Sequence, residues 1–251
     1  MQSARPQTGI PADDRETADI ESSSDDYARR FSGPSGAWML AVQEHGCLDL
    51  LSGHPGITVL DVGGGHGQLA LPLARGGWPV TVVASDPSCR HRIEAAVKAG
   101  LLRFVVGDLL RLPFPDQSFD TVVSVRMLTH CRRWEEYVAE LCRVARRAVI
   151  VDYPTSESVN RIAPALFGAK KRLEGNTRTF TLFTHREIAE AFAAVGYVPA
   201  ARIGEVFLPM VLHRMLRCRP CSAAVETICG GLGLTQRWGS PVVARFSRDG
   251  R

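Results

Sequence analysis

The sequence has little of several features that would narrow its class at once. No apolar run approaches the roughly 18 residues that a membrane-spanning helix needs, and the first 26 residues lack the apolar stretch of a secretory signal. The seven cysteines are odd in number and irregularly spaced, so they do not suggest a disulfide framework. Lysine is also scarce, with three of the 30 basic residues, which we attribute to genome composition rather than function. We therefore expect a cytoplasmic protein.

The charge of the chain is mildly positive and unevenly distributed. A formal charge of +4 and a pI near 8.8 are too small to predict a nucleic-acid partner. Residues 1–26 hold seven acidic residues against two arginines, and they contain no aromatic residue. Such a segment cannot bury enough apolar surface to offset the entropy of ordering it. We therefore predict a disordered acidic tail over residues 1–26.

The remaining chain, residues 27–251, predicts a single α/β domain. From Ile57 to Asp152, short apolar strands alternate with helices. Strands that are apolar along their whole length are typical of a parallel sheet covered on both faces. Residues 57–152 are therefore the predicted core. Segments that are too long for plain turns, or that carry packed apolar helices, are predicted to form cap elements over it: residues 27–51, 154–180 and 209–235.

The C-terminal part contains one clear helix signal. Thr184 and Glu187 have the spacing of a capping box, and Phe183 and Ile188 flank it as a hydrophobic staple. We expect this helix to close at Gly196. Two further strands are predicted, over Val198–Leu208 and Pro241–Phe246.

The strongest motif is a glycine-rich loop after the first predicted strand. Residues 59–67 read Val-Leu-Asp-Val-Gly-Gly-Gly-His-Gly. Glycines allow a tight turn and close approach of the backbone to a ligand, and ligands of open α/β sheets bind beyond the carboxyl ends of the strands. The loop departs from the dinucleotide pattern, because Gln68 stands where G-x-G-x-x-G requires glycine. Asp61, two residues before the first glycine, suits a cationic amino-acid ligand better than a pyrophosphate.

Three further segments follow this loop in order: Gly107-Asp108-Leu109, residues 112–120 and residues 122–128. With the glycine loop, they resemble the class I S-adenosylmethionine-dependent methyltransferases, in particular the small-molecule group that includes ubiquinone/menaquinone C-methyltransferase-like proteins. The resemblance is strong over residues 57–152 and looser over 27–251. It implies a Rossmann-like, doubly wound, mostly parallel seven-stranded sheet with helices on both faces and helical cap insertions.

The resemblance also implies S-adenosylmethionine as the cofactor, with S-adenosylhomocysteine as its product. The family's acidic residue at the tip of the second strand, which binds the ribose, is displaced here. That position falls near Ala84, and the acid, Asp86, comes two residues later. Asp86 either binds the ribose from a longer strand tip or only begins the next helix. The other residues implied in cofactor binding are Asp61, Gly63, Gly64, Gly65, His66, Gly67, Asp108, Leu109 and Arg126.

Methyl transfer makes modest demands on catalytic side chains. It is an in-line displacement whose leaving group departs neutral, so alignment of the reacting atoms is the main requirement. A base helps where the acceptor is a phenol, a hydroxyl or an amine. His130, just past the fourth strand, is the candidate base, or else a structural histidine that packs against Trp134 or bonds to the backbone. Arg126 is the candidate for holding a carboxylate or phosphate of the acceptor, or else it forms a salt bridge.

Two basic segments and a cysteine pair leave alternatives open. Residues 167–178 could bind an anionic acceptor or form a solvated surface. Residues 207–221 either lie on a membrane surface or form a buried cap helix with a basic edge. Cys218 and Cys221 form a lone C-x-x-C, which lacks the further ligands that zinc would need. Thiol chemistry is the alternative to idle cysteines, and no metal site is predicted.

We therefore predict an enzyme that methylates a small or medium-sized organic acceptor, with O-methylation slightly favoured, as a monomer or a homodimer. One alternative is methylation of a membrane lipid or a quinone, with peripheral membrane contact. The other is a methyltransferase-like protein that binds a partner without catalysis.

Overall fold

The computed structural model describes residues 15–51, 56–159, 180–216 and 218–250, apart from the side chains of residues 211, 214 and 216. It contains a seven-stranded sheet in the spatial order β3-β2-β1-β4-β5-β7-β6. Neighbouring strands from β3 to β5 run parallel, whereas β7 is antiparallel to both β5 and β6. The predicted mostly parallel seven-stranded sheet is thereby confirmed. In chain order, the strands are β1 Val59–Val62, β2 Val80–Ala84, β3 Arg103–Val106, β4 Phe119–Ser124, β5 Ala145–Tyr153, β6 Tyr197–Gly204 and β7 Val242–Arg248.

Helices of the described residues cover both faces of this sheet. The capping box that opens α7 is present, because the Thr184 hydroxyl accepts the Glu187 backbone N–H and the Glu187 carboxylate accepts that of Thr184. None of these helices is long and apolar enough to cross a membrane. In chain order they are α1 Ala18–Ser22, α2 Asp25–Arg29, α3 Gly33–Leu51, α4 Ala70–Arg75, α5 Glu94–Lys98, α6 Trp134–Val144, α7 His185–Ala193, α8 Met210–Leu216, α9 Arg219–Gly231 and α10 Leu234–Trp238.

The hydrophobic core lies in two layers, one on each face of the sheet. Successive side chains of a strand point to opposite faces, and β1 follows this rule. Leu60 and Val62 join the layer that contains α6 and α7, whereas Val59 joins the layer that contains α3 and α4. Both layers are apolar at β1 and β2, so every residue of those two strands is buried.

The segment between β2 and β3 does not form one continuous helix. Pro87–Arg90 forms a 3-10 turn, and α5 covers only Glu94–Lys98. The break follows from the side chain of Asp86, which accepts the backbone N–H of Ser88 and so caps the short turn.

The N-terminal segment also differs from the expectation of disorder, as far as the structure describes it. Residues 15–26 include α1 and the start of α2, and the side chain of Asp19 is fully buried. Polar contacts, rather than apolar burial, hold this segment on the carboxyl edge of the sheet. Of the predicted cap elements, residues 27–51 and 209–235 are largely helical, whereas residues 160–179, with the whole basic stretch 167–178, lie outside the described part.

Candidate cofactor site

The glycine loop turns the chain sharply at the carboxyl end of β1. Gly63 and Gly67 have φ of +76° and +79°, a region that side chains with a Cβ rarely adopt. Between them, Gly64–His66 forms a 3-10 turn. A Cβ on Gly64 would overlap the carboxylate of Asp61. The loop therefore folds directly around that carboxylate.

The carboxylate of Asp61 is buried and incompletely bonded. The residue is 1% exposed, and its Oδ1 has no hydrogen-bond partner among the described residues. Burial raises the pKa of Asp61 to about 7, although the nearby Arg126 guanidinium and the backbone N–H of Ala70 act to lower it. A buried acceptor of this kind is matched to a cationic donor, because a charge-assisted hydrogen bond would satisfy the atom and restore the ionised form.

Arg126 provides the opposite charge on the other side of the same pocket. Its backbone has φ of +61°, and its N–H donates to Asp152 Oδ1 at 2.5 Å. The guanidinium carbon lies 5.5 Å from the ring centroids of both Tyr27 and Phe31. Its Nε and Nη1 are buried without a hydrogen-bond partner among the described residues. The side chain is thus held by aromatic rings while two donors remain available for an anionic group.

His66 adds a neutral imidazole to the pocket. Burial lowers its pKa to about 3, and the Arg126 and Arg92 charges act in the same direction. Its ring contacts Tyr27 edge-on, with centroids 6.3 Å apart. The ring therefore adds no positive charge to the site near neutral pH.

The structure brings together part of the predicted site. Asp61, Gly63, Gly64, His66 and Arg126 line one narrow pocket, which Ser22 of α1 also borders. Gly65 and Gly67 belong to the same loop but do not line the pocket.

Four other predicted residues do not line this pocket. Asp86 and Asp108 each accept a backbone N–H two residues further on, from Ser88 and Leu110, and Leu109 is buried in the core. His130 lies in the 3-10 turn Leu128–His130, and its ring contacts that of Phe180, with centroids 6.0 Å apart. The proposed roles of these four residues stay predictions.

Sequence reasoning missed the contribution of the N-terminal segment. The carboxylate of Asp19 accepts the backbone N–H of Ser85 at 2.6 Å and its hydroxyl at 2.5 Å, directly after β2. Arg15 donates to the Ser85 carbonyl, and Glu16 accepts the backbone N–H of Arg132. We call residues 15–26 the N-terminal strap. The strap is rich in acidic residues and has no apolar periodicity. Its sequence therefore looks the same as that of a solvated tail.

A second buried polar group lies at the same edge of the sheet. The amide Nε2 of Gln43 on α3 donates to Asp152 Oδ2 at 2.7 Å and to Glu205 Oε1 at 2.9 Å. Burial raises the pKa of both carboxyl groups. Because Asp152 also accepts the backbone N–H of Arg126, this group fixes the strand end that carries the arginine.

Comparison with known proteins shows which proteins this chain is similar to. Residues 60–151 match the family described as "Methyltransferase domain". Two curated relatives are a demethylmenaquinone methyltransferase from Beutenbergia cavernae, 33% identical over 148 residues, and a fatty-acid O-methyltransferase from Mycolicibacterium smegmatis, 39% identical over 97 residues. The alignments cover 57% and 36% of this chain, and 61% and 34% of those relatives. The chain thus spans less than two thirds of either relative's length.

The fold agrees with that class over a longer stretch. A solved structure of magnesium protoporphyrin IX methyltransferase from Synechocystis PCC 6803, with bound S-adenosylhomocysteine, superposes with a TM-score of 0.62. The superposition covers 89% of this chain and 94% of the Synechocystis chain. The two sequences are 17% identical over it, so the comparison shows a common fold. Residues 60–151 therefore match a methyltransferase domain, and the curated relatives that share this stretch include enzymes of the ubiquinone/menaquinone group.

Proposed function

We propose that this protein transfers a methyl group from S-adenosylmethionine to a small or medium-sized organic acceptor. The observation that carries the proposal is the buried Asp61 Oδ1, which has no hydrogen-bond partner among the described residues, inside a loop shaped by Gly63 and Gly64. Arg126 faces the same pocket with two buried donors that have no partner there. A zwitterionic amino-acid group needs one anionic and one cationic partner, and this pocket supplies both.

The residues present fit the amino-acid group of the cofactor in charge. When bound, S-adenosylmethionine supplies a methyl group on a positively charged sulfur. Asp61 would accept hydrogen bonds from its ammonium group, and Arg126 would hold its carboxylate or an anionic group of the acceptor. His66 stays neutral because its pKa is about 3, so it does not repel a sulfonium ion. These residues would position the reacting atoms, which is the largest part of catalysis in an in-line transfer.

O-methylation remains slightly favoured for the acceptor, and His130 remains the proposed base for an acceptor hydroxyl. The fatty-acid O-methyltransferase among the relatives supports an oxygen acceptor. Base catalysis of this kind contributes about 10²- to 10⁴-fold, so His130→Gln should reduce turnover of an acidic phenol less than that of an alcohol.

A quinone is the second candidate acceptor. Two of the relatives are named demethylmenaquinone methyltransferases, and the cap helices expose Met215 at 73%, Ile228 at 62% and Leu232 at 70%. Exposed apolar side chains on neighbouring helices favour an apolar acceptor that resides in a bilayer. Sedimentation with anionic and neutral liposomes, with and without salt, separates this candidate from a water-soluble acceptor.

The proposal is tested by measuring S-adenosylhomocysteine formation with a panel of acceptors. The panel contains a demethylated isoprenoid quinone, a long-chain fatty acid and a phenol, and mass spectrometry of the product locates the new methyl group on carbon or oxygen. The wild-type chain should turn over at least one class of acceptor. Folded protein that binds S-adenosylmethionine but turns over no acceptor in the panel or in cell extract would support the non-catalytic alternative.

Asp61→Asn is the matching variant, with Glu135→Gln as its control. Asparagine keeps the size of the side chain but removes the charge, so cofactor affinity should fall about 10- to 100-fold. Glu135 is exposed on α6, and its amide variant should bind like the wild type. Equal affinity of Asp61→Asn and wild type in calorimetry would contradict the proposed site.

A further inference from the structure

Cys218 and Cys221 stand apart from the other cysteines of the chain. They are joined by a disulfide at the start of α9, with Cα atoms 5.3 Å apart. Cys221 is exposed and Cys218 is half-buried. The remaining five are free and buried: Cys47, Cys89, Cys131, Cys142 and Cys229.

The environment of Cys218 favours a thiolate when the bond is reduced. Cys218 is the N-cap residue of the 13-residue α9, and its sulfur accepts the backbone N–H of Cys221 at 3.4 Å. The N-terminus of a helix stabilises a nearby thiolate, because its free N–H groups and the helix dipole favour negative charge. Stabilising the thiolate stabilises the reduced form, and this keeps such a disulfide within reach of cellular thiols.

The buried cysteines have the opposite character. Burial raises the pKa of each free cysteine, to about 12 for Cys89 and well above the ordinary value for Cys47. They therefore remain protonated and shielded at neutral pH. Among the described residues, no group of three or more histidines, cysteines or acidic residues could hold a metal ion, which leaves the dithiol itself as the reactive unit.

We propose that Cys218 and Cys221 form a reversible redox couple that exchanges with low-molecular-weight thiols and their disulfides. The Cys218 thiolate attacks one sulfur of the external disulfide, which forms a mixed disulfide and releases one thiolate. The Cys221 thiolate then attacks the Cys218 sulfur, closes the intramolecular bond and releases the second thiolate. The protein dithiol loses two electrons and two protons in total, and the external disulfide is reduced to two thiols.

The test is a redox titration of the full chain. The protein is equilibrated without oxygen in buffers of varied ratio of reduced to oxidised glutathione, quenched with acid, unfolded and alkylated, and its peptides are mapped by mass. Cys218 and Cys221 should pass from alkylated to disulfide-linked together, in one two-electron transition. The five other cysteines should remain alkylated throughout. Three results would each overturn the proposal: a pair still reduced in the most oxidising buffer, glutathione bound stably to both sulfurs, or a bond that excess dithiothreitol does not reduce in folded protein.

Two single variants test which sulfur reacts first. In Cys221→Ser, oxidised glutathione should trap a mixed disulfide on Cys218. In Cys218→Ser, the remaining Cys221 lacks the N-cap position, and its alkylation at neutral pH should be slower by about tenfold. Circular dichroism checks that both variants are folded. Equal alkylation rates of the two folded variants would contradict the assignment of Cys218 as the attacking thiolate.

Discussion

At the scale of single residues, the proposed cofactor site depends on one buried carboxylate and the glycines that make room for it. The chain turns back at Gly63, which has a positive φ. This turn brings the Cα of Gly64 against the carboxylate of Asp61, three positions earlier. The sequence was sufficient to predict this contact region, since an acid two residues before a glycine run is a local signal. The placement of the Arg126 side chain was harder to predict, because its guanidinium packs on Tyr27 and Phe31, about 100 positions away in the sequence.

The pKa of Asp61 predicts a pH dependence of cofactor binding. The carboxyl group has a pKa of about 7 in the free protein, and the cationic ligand requires its ionised form. Binding at lower pH must therefore release a proton, and the dissociation constant for S-adenosylmethionine should rise by up to about tenfold per pH unit below 7. His66 stays neutral over this range.

Calorimetry between about pH 5.5 and pH 8 measures this dependence, with Asp61→Asn as the reference. The variant should bind more weakly but without the loss of affinity on acidification. If the affinity of the wild type does not change with pH, Asp61 does not take up a proton between about pH 8 and about pH 5.5.

Gly64→Ala tests the shape of the loop independently of charge. The added methyl group overlaps the Asp61 carboxylate, which must rotate or shift the loop. We expect at least about tenfold weaker cofactor binding, the loss of roughly one good hydrogen bond to a charged group. Gly230→Ala is the matched control, because a Cβ there meets nothing within 4 Å, and it should bind normally. If Gly64→Ala binds the cofactor with wild-type affinity, the close approach of Gly64 to the Asp61 carboxylate is not needed for binding.

At the scale of elements, local patterns predicted the structure where burial is periodic and failed where polar contacts dominate. The strands β1 and β2 and the helices α6 and α7 have apolar faces that their own sequences reveal. The strap does not, because Asp19 finds its partners at Ser85, 66 positions away. A long-range hydrogen bond of this kind leaves no pattern in one sequence.

Asp19→Ala should destabilise the folded chain by about 1–3 kcal/mol. The change leaves the buried N–H and hydroxyl of Ser85 without their carboxylate partner, and an unsatisfied buried donor costs about that much. Denaturant unfolding measures the loss. Asp25→Ala removes an exposed contact of the same segment to Arg92, at 2.7 Å, and should have a much smaller effect, because solvent screens an exposed ion pair. Equal losses for the two variants would mean that Asp19 does not anchor the strap.

At the scale of the whole molecule, parallel pairing gathers the site from distant parts of the chain. In the sheet, β4 lies beside β1, and β5 lies beside β4. Because these three strands are parallel, their carboxyl ends meet at one edge of the sheet. Asp61, Arg126 and Asp152 are thereby brought together from three strand ends. The sequence predicted this sheet from its alternating elements, whereas the cap over it depends on contacts between elements that carry no motif.

A calorimetric titration of the full chain with S-adenosylmethionine and S-adenosylhomocysteine, with NAD as the control, tests the proposed cofactor site most directly. We expect micromolar binding of the two sulfur compounds and no binding of NAD. Folded protein that binds neither sulfur compound, or binds NAD instead, would contradict the assignment of the pocket around Asp61.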